Sequence, residues 1–241
     1  WIQKGLDIYG EAAGDASGHG ISLSANGNIL AIGAYKNSAT GADSGHVRIY
    51  EWNGSAWAQK GLDIDGEAAG DYFGYWVSLS SDGTIFAATG VWNDGNGANS
   101  GHVRIYEWNG SDWIQKGLDI DGEAAGDQFG SSISLSSNGL IFAAGAWWND
   151  DNGNNSGHVR VYEWNGSAWT QKGGDLDGEA AGDNFGASVE LSDNGNILAV
   201  GAVQFNSPTP APGYVKAFSL PISSNSAPTN ISLTSSSVNE N

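Results

Sequence analysis

The sequence predicts an all-β protein, a β-propeller built from 56-residue blades of four strands each. The words WIQKGLDI, WAQKGLDI, WIQKGLDI and WTQKGGDL begin at positions 1, 57, 113 and 169, so the period is 56 residues. Self-similarity at such a period is typical of propellers, solenoids and arrays. Each unit contains short runs of apolar and alternating residues separated by Gly/Asn/Asp clusters, which is the pattern of strands and turns. No stretch keeps a helical period for ten residues, and 37 glycines fit frequent turns.

The second unit, residues 57–112, illustrates the predicted strands. Strand D is expected at 57–64, strand A at 75–80, strand B at 84–90 and strand C at 101–108, with D running on into the next A strand. Four short strands in tandem units are typical of propeller blades. A parallel β-helix is the alternative, but its repeats are usually shorter and it lacks tight hairpins. The predicted propeller domain covers residues 1–220, with repeats 1–56, 57–112, 113–168 and 169–220.

Two kinds of tight turn connect these strands. The A–B turns carry Asn-Gly or Asp-Gly, as in Asn26-Gly27 and Asp82-Gly83, which is the strongest short hairpin signal and predicts positive φ at both central residues. The C–D turns place Asn-Gly-Ser between two tryptophans, as between Trp52 and Trp57. We expect these tryptophans to pair across the strands as structural contacts.

The remaining connections concentrate acidic residues on one face. In an antiparallel blade the A–B and C–D turns share one face, and the B–C and D–A loops share the other. The D–A loops repeat the word DIDGEAAGD or a close variant, and we expect Leu62 and Ile64 to point inward, with Asp63 and Asp65 outward. The face is called the acidic rim below; its loops are 7–15, 63–71, 119–127 and 175–183 (D–A) and 37–45, 93–101 and 149–157 (B–C).

Calcium is the ion expected on the acidic rim, because it takes roughly six to eight oxygens from carboxylates, carbonyls, amides and water. The alternative is structural: Asp and Gly form turns, Asp71 braces its loop, and the acidity keeps an extracellular surface soluble. The candidate metal ligands are Asp7, Glu11, Asp15, Asp63, Asp65, Glu67, Asp71, Asp119, Asp121, Glu123, Asp127, Asp175, Asp177, Glu179 and Asp183. His46, His102 and His158 recur at the start of strand C; they are interpreted as strand-start residues, with a symmetric metal site as the alternative.

Charge and composition exclude several partners. The chain has 27 acidic and 9 basic residues, for a net charge of −18, so nucleic acid and an anionic membrane surface would repel it. There is no cysteine, which removes disulfides and thiol chemistry. No apolar run approaches the roughly 18 residues of a membrane span, and no signal peptide is recognisable. Because Trp1 begins in the middle of the repeat pattern, we expect a piece excised from a longer polypeptide.

Ring closure is predicted from the order of the strands. The chain begins with strand D and ends with strand C, because GYVKAFSL at 213–220 aligns with GHVRIYEW at 45–52. Propellers often close when the first strand completes the last blade, which predicts pairing of Trp1–Ile8 with Gly213–Leu220. The alternatives are a fragment of a larger ring or a ring shared by two chains.

Three recurring marks resemble the FG-GAP repeat of integrin-α-type β-propellers. They are Phe73-Gly74, Phe129-Gly130 and Phe185-Gly186, then Gly33-Ala34, Gly145-Ala146 and Gly201-Ala202, then a Gly-x-Val-x-Ile/Val-Tyr strand. The resemblance implies one blade per repeat, an extracellular role and, in some blades, calcium in an Asp-rich A–B hairpin. Here that hairpin lacks the D-x-D-x-D-G series, so any calcium would use the other rim. The first unit also departs, with Ser17 in place of Phe.

The tail, residues 221–241, has a different composition. A Ser/Asn/Pro linker leads into APTNISLTSSSVNEN, which resembles the opening of a cadherin-like repeat of large bacterial surface adhesins. The resemblance implies a truncated second domain in which Glu240 would help bind calcium between domains.

These features predict a non-enzymatic, extracellular adhesion or ligand-binding module, secreted or on the cell surface. No nucleophile elbow, zinc-binding motif or phosphate loop occurs, and repeated carboxylates argue against a catalytic site, which is normally asymmetric. The expected partner is a glycan or protein, held near Trp92, Asp94, Trp147, Trp148 and Asp150. The alternative role of these tryptophans is packing between neighbouring blades. The alternative function is a structural spacer or self-assembling subunit, and a homo-oligomer or further domains of the same polypeptide are possible partners.

Overall fold

The computed structural model describes residues 1–205 and 212–221, in which all regular structure is β. The first sheet contains β1 (Ile21–Leu23), β2 (Ile29–Ala34), β3 (His46–Trp52), β4 (Trp57–Gln59) and β5 (Ile64–Asp65). The second contains β6 (Phe73–Leu79), β7 (Ile85–Gly90), β8 (His102–Trp108), β9 (Trp113–Gln115) and β10 (Ile120–Asp121). The third contains β11 (Ser132–Leu135), β12 (Ile141–Ala146), β13 (His158–Trp164), β14 (Trp169–Gln171) and β15 (Leu176–Asp177). The fourth contains β16 (Phe185–Leu191), β17 (Ile197–Ala202) and β18 (Tyr214–Ser219).

The first three sheets are antiparallel blades in the predicted order A, B, C, D, and the described part of the fourth contains A, B and C. The innermost strands of neighbouring blades are joined by serines, because the backbone N–H of Leu79 donates to Ser22 Oγ at 2.9 Å and that of Leu135 to Ser78 Oγ at 3.1 Å. The hydrophobic clusters likewise lie between blades, where residues of β2 and β3 pack with residues of β6 and β7.

The Phe-Gly and Gly-Ala marks meet at the blade interfaces. Phe73, Phe129 and Phe185 are fully buried. A Cβ added to Gly33 would collide with the carbonyl oxygen of Gly74 in the next blade, and Gly145 stands in the same relation to Gly186. These glycines therefore permit one blade's backbone to touch the next.

Strand D departs from the predicted 57–64. It is split into two pieces, β4 and β5, which pair with the same edge of β3. The chain leaves the sheet at Gly61, which has φ of 82°, so the strict alternation expected around Leu62 is broken. Ile64 is buried as predicted, but Leu62 is 79% exposed, and the prediction that it points inward is wrong.

Both tight turns form, and one differs in its geometry. In the A–B turns only the glycine has positive φ, 66° at Gly27 and 70° at Gly83, so the expected second positive φ at Asn26 or Asp82 is wrong. The side chain of Asn26 instead accepts the backbone N–H of Asn28 at 2.9 Å, the local bond typical of Asx turns. The predicted tryptophan pairing is confirmed: Trp52 lies opposite Trp57, with ring centroids 5.5 Å apart.

The predicted closure of the ring within this chain is not found. The described part of the fourth sheet has three strands, and β18 pairs there with β17. Trp1–Ile8 form no strand. Instead the carbonyl of Lys4 accepts Trp57 Nε1 at 2.9 Å. The same bond joins Lys60 to Trp113 and Lys116 to Trp169. Residues 1–8 therefore lie against the first blade in the position that strand D of a preceding blade would have.

The predicted tail domain, residues 221–241, falls outside the described residues beyond Pro221. Within residues 1–205 and 212–221, no helix is long and apolar enough to cross a membrane.

Candidate functional site

The acidic rim is assembled by hydrogen bonds between its two kinds of loop. Asp71 is buried; its Oδ2 accepts the backbone N–H of Ala68 at 3.1 Å and the side-chain amide of Asn93 at 3.2 Å. Asp15 and Asp127 make the corresponding bonds. Burial raises the pKa of Asp71 and Asp127. The structural interpretation, in which Asp71 braces its loop, is therefore confirmed.

The last member of this group is braced in another way. Asp183 accepts the backbone N–H of Ala180 at 3.1 Å and the hydroxyl of Tyr214 at 2.7 Å. All four bracing aspartates therefore have their hydrogen bonds within the protein, although they belong to the set expected to bind calcium.

Other predicted ligands converge on the recurring histidines. Glu67, His102 and Asp119 each offer one ligand atom within 4.8 Å of the others. His102 Nδ1 lies 3.9 Å from Asp119 Oδ2. The corresponding groups, called with this one the histidine clusters, are Glu11–His46–Asp63 and Glu123–His158–Asp175, the last joined by Asp151.

The histidines of these clusters are fully enclosed, and burial lowers the pKa of each of them. His46, His102 and His158 have no solvent exposure, and none of their ring nitrogens has a hydrogen-bond partner among the described residues. Burial, with the neighbouring Arg104 as a smaller cause, lowers the pKa of His102 to about 3. Burial lowers the pKa of His158 to about 4, again with an adjacent arginine. A neutral imidazole is the form that can bind a metal ion.

Glutamine and arginine side chains also contact the carboxylates of the clusters. Gln115 Nε2 donates to Asp119 Oδ1 at 2.5 Å, and the same contact links Gln171 to Asp175. On the glutamate side, Arg160 Nη1 lies 3.6 Å from Oε1 of Glu123. Burial raises the pKa of this glutamate and the arginine opposes that change. In each cluster one carboxylate therefore has one oxygen engaged, while its other oxygen lies 3.8 or 3.9 Å from the histidine Nδ1.

The fourth blade departs from this pattern. Tyr214 and Lys216 stand where the histidine and arginine recur, and Lys216 Nζ lies 2.6 Å from Glu179 Oε1. Asp7, at the other end, accepts Gln3 Nε2 at 2.9 Å and Tyr9 Oη at 3.1 Å. Neither acid joins a histidine cluster. Asp65, Asp121 and Asp177 lie opposite the three histidines in strand register and are also outside these groups.

A second feature, called the aromatic cleft, opens among the first residues of the B–C loops and the A strands. It has a volume of about 480 Å³. Tyr72 stacks on Trp92 with centroids 4.6 Å apart, and Trp147 stacks on Trp148 at 6.2 Å. The lining residues are Tyr35, Lys36, Tyr72, Tyr75, Trp76, Val91, Trp92, Gln128, Ser131, Trp147, Trp148 and Ala187.

The cleft brings together the three tryptophans predicted to bind a ligand but not the two aspartates. Trp92 and Trp148 are 42% and 43% exposed, and Trp147 is half-buried. Asp94 and Asp150 are not among the lining residues. Each accepts a backbone N–H within its own B–C loop, from Asn99 and Asn155 at 2.7 Å.

Sequence reasoning missed the other aromatic residues of the cleft. Tyr72, Tyr75 and Trp76 come from the word DYFGYW, whose counterparts in the other units are DASGHG, DQFGSS and DNFGAS. The available signal was this departure of one unit from the repeat, since aromatic residues that a repeat does not require are free to serve a local purpose.

Two solved structures are similar to this chain in fold. Hydrazine synthase of Kuenenia stuttgartiensis matches with a TM-score of 0.52 and 13% identity, over 91% of this chain and 49% of that one. A putative 6-phosphogluconolactonase of Bacteroides uniformis matches with a TM-score of 0.51 and 12% identity, over 76% of this chain and 46% of that one. This chain therefore spans about half the length of the proteins it matches, and at such low identity the likeness shows a propeller-like fold alone.

The sequence comparison adds a repeat family. Residues 118–162 match the FG-GAP repeat, which confirms that resemblance over one repeat. No curated protein matches the chain in sequence. The cadherin-like resemblance of the tail stays a prediction.

Proposed function

We propose that this chain is a non-enzymatic, adhesion-type module, secreted or on the cell surface, that binds a glycan in its aromatic cleft. The cleft is the observation that carries the proposal. FG-GAP repeats are typical of extracellular ligand-binding modules, and the repeat at 118–162 supports that setting. The enzymes among the structural neighbours share only the fold, and fold alone does not imply activity.

The chemistry of the cleft suits a sugar. Flat aromatic faces such as Trp92 and Trp148 pack against the C–H faces of a pyranose ring, and the indole N–H remains available as a donor. Lys36, Gln128 and Ser131 add polar groups at the same wall, as in ligand sites where an apolar surface is combined with a few polar groups that orient the ligand. The net charge of −18 favours neutral or cationic ligands over anionic ones.

The aromatic cleft is tested by replacing Trp92 with alanine. We expect wild-type chain to bind one class of neutral oligosaccharide on an immobilised panel, and Trp92→Ala to weaken that binding at least about tenfold, because loss of an enclosed aromatic contact commonly costs more than 1 kcal/mol. Trp1→Ala is the control, since Trp1 is fully exposed and outside the cleft. No binding by the wild type, or equal weakening in both variants, would contradict the proposal.

Calcium binding on the acidic rim is the second part of the proposal. The rim acids outside the bracing group and the histidine clusters, such as Asp65, Asp121 and Asp177, supply carboxylate oxygens of the kind that calcium prefers. Calcium at about a hundredfold excess over its dissociation constant would stabilise the fold by about 2.7 kcal/mol for each site. We expect a higher melting temperature in calcium than in chelator, with magnesium at equal ionic strength as the control. An unchanged melting temperature would remove calcium from the proposal.

A structural spacer or self-assembling subunit is the second candidate. The observation that favours it is β18, which has a single strand partner among the described residues and carries Val215 at 74% exposure. Exposed strand edges are templates for pairing with another chain. Light scattering that reports concentration-dependent oligomers, together with no glycan binding, would favour this candidate.

A further inference from the structure

We propose that the three histidine clusters are binding sites for a divalent first-row transition metal ion of the zinc class, one ion in each cluster. They are distinct from the aromatic cleft, and the proposal does not depend on glycan binding. In each cluster a glutamate of a D–A loop, the first residue of strand C and the aspartate before the second piece of strand D provide the ligand atoms, all within 4.8 Å of one another.

The buried histidines are the observation that points to a ligand. Each of the three rings is fully enclosed, and neither ring nitrogen has a hydrogen-bond partner in the part of the chain that the structure describes. Buried polar atoms are normally paired, so an orphan nitrogen requires an explanation such as an ion. In two clusters Nδ1 faces the glutamate: His46 is 3.8 Å from Glu11 and His158 is 3.8 Å from Glu123.

These separations fit two ligands of one ion better than a hydrogen bond. A nitrogen–oxygen hydrogen bond spans about 2.7–3.2 Å. Two atoms that each lie about 2 Å from the same zinc ion are roughly 3–4 Å apart. The distance of 3.9 Å between His102 Nδ1 and Asp119 Oδ2 lies in this second range.

The outer contacts orient the carboxylates toward that point. In the third cluster Arg160 faces Glu123 Oε1, which leaves Oε2 toward His158. Gln171 Nε2 engages Asp175 Oδ1 at 2.6 Å. Hydrogen-bonded partners of this kind fix metal ligands in known sites and raise their affinity. Arg160 also offsets part of the negative charge of the carboxylates. Binding of the ion therefore depends on coordination by the histidine nitrogen as well as on charge.

The donor set selects the class of ion. Calcium and magnesium take oxygen ligands, whereas imidazole suits zinc, copper, iron and nickel. One nitrogen with two carboxylates leaves one position for water in a four-coordinate zinc site, whereas the cluster that includes Asp151 offers four protein ligands. The fourth blade offers an internal comparison, because where Tyr214 replaces the histidine, Glu179 forms an ion pair with Lys216 instead.

Metal counting on the chelator-stripped chain tests the proposal. After dialysis against equal concentrations of Zn²⁺ and Ca²⁺, we expect the chain to bind one zinc ion in each of the three clusters. The presence of calcium should not change this number of zinc ions. Co²⁺ in place of zinc should give the visible absorption of a nitrogen- and oxygen-coordinated ion. His102→Ala should lower the zinc count by one ion, and the triple change Asp63→Asn, Asp119→Asn and Asp175→Asn should abolish stoichiometric binding.

The matched control is the triple change Glu51→Gln, Glu107→Gln and Glu163→Gln. It removes the same charge from residues that recur with the same period on strand C, and it should keep the zinc count. If His102→Ala does not fold, as judged by circular dichroism, Asp119→Asn alone should lower the count by one. No zinc uptake by the wild type, equal loss in the control, or an unchanged count in the folded single variant would overturn the proposal. Displacement of zinc by equimolar calcium would do so as well.

Discussion

Replacement of Phe129 by alanine is expected to lower the free energy of unfolding by about 3–5 kcal/mol. The ring is fully buried in the cluster between the second and third blades. The guanidinium carbon of Arg160 lies 4.1 Å from its centroid, and the ring of Tyr162 packs edge-on at 6.4 Å. Alanine would leave a cavity and remove the aromatic face beneath a nearly buried cation, so both the transfer and the cation–π contributions are lost.

Urea unfolding of the variant and wild type measures this loss, with an unchanged slope indicating that both unfold to similar states. Phe129→Leu should cost clearly less, because most of the buried volume is kept. Phe205→Ala is the surface control: Phe205 is 81% exposed, so its change should stay within about 0.5 kcal/mol. A Phe129→Ala variant as stable as this control would contradict the role given to the Phe-Gly mark.

Replacement of Asp127 by alanine is expected to cost about 2–4 kcal/mol, since each buried donor left unpaired costs about 1–3 kcal/mol. Asp127 is 4% exposed. Its Oδ2 accepts the backbone N–H of Ala124 at 3.1 Å and Asn149 Nδ2 at 3.2 Å. It is therefore the acceptor that joins the D–A loop to the B–C loop, and alanine would leave both donors without it.

Chemical denaturation again provides the measurement, and Asp127→Asn separates geometry from charge. Asparagine keeps one acceptor oxygen for the two donors. Because burial raises the pKa of Asp127, the negative charge is not favoured there and its loss should cost much less than alanine. Asp112→Ala, on an exposed C–D turn, should have little effect. Equal losses for Asp127→Ala and Asp112→Ala would show that the bracing bonds carry no stability.

The repeat determined most of what the sequence could predict about the fold. The blade order, the hairpin positions and the pairing of Trp52 with Trp57 follow from local patterns, and all three are confirmed. Leu62 was misplaced because Gly61 interrupts strand D, and alternation cannot report a break inside a run. The predicted ring closure was not found for a different reason. Residues 1–8 contact the first blade through Lys4 and Trp57, and sequence alignment does not reveal such a tertiary contact.

The candidate site shows the same division. The gathering of acids on one rim could be predicted, because it needs only the alternation of connections between two faces. The distinction between bracing acids such as Asp71 and cluster acids such as Glu67 could not, because their partners Asn93 and His102 are distant in sequence. The aromatic cleft was only partly foreseen, since it depends on residues by which one unit differs from its neighbours.

The aromatic cleft has a consequence for a protein under tension. Its walls come from successive blades, with Tyr35 from the first, Trp92 from the second and Trp148 from the third. A ligand held by all three would clamp adjacent blades together, and separating them by pulling on the chain would first require its release. Occupancy would thus stabilise the folded array by an amount that grows with the ligand concentration, so that attachment strengthens the attached molecule.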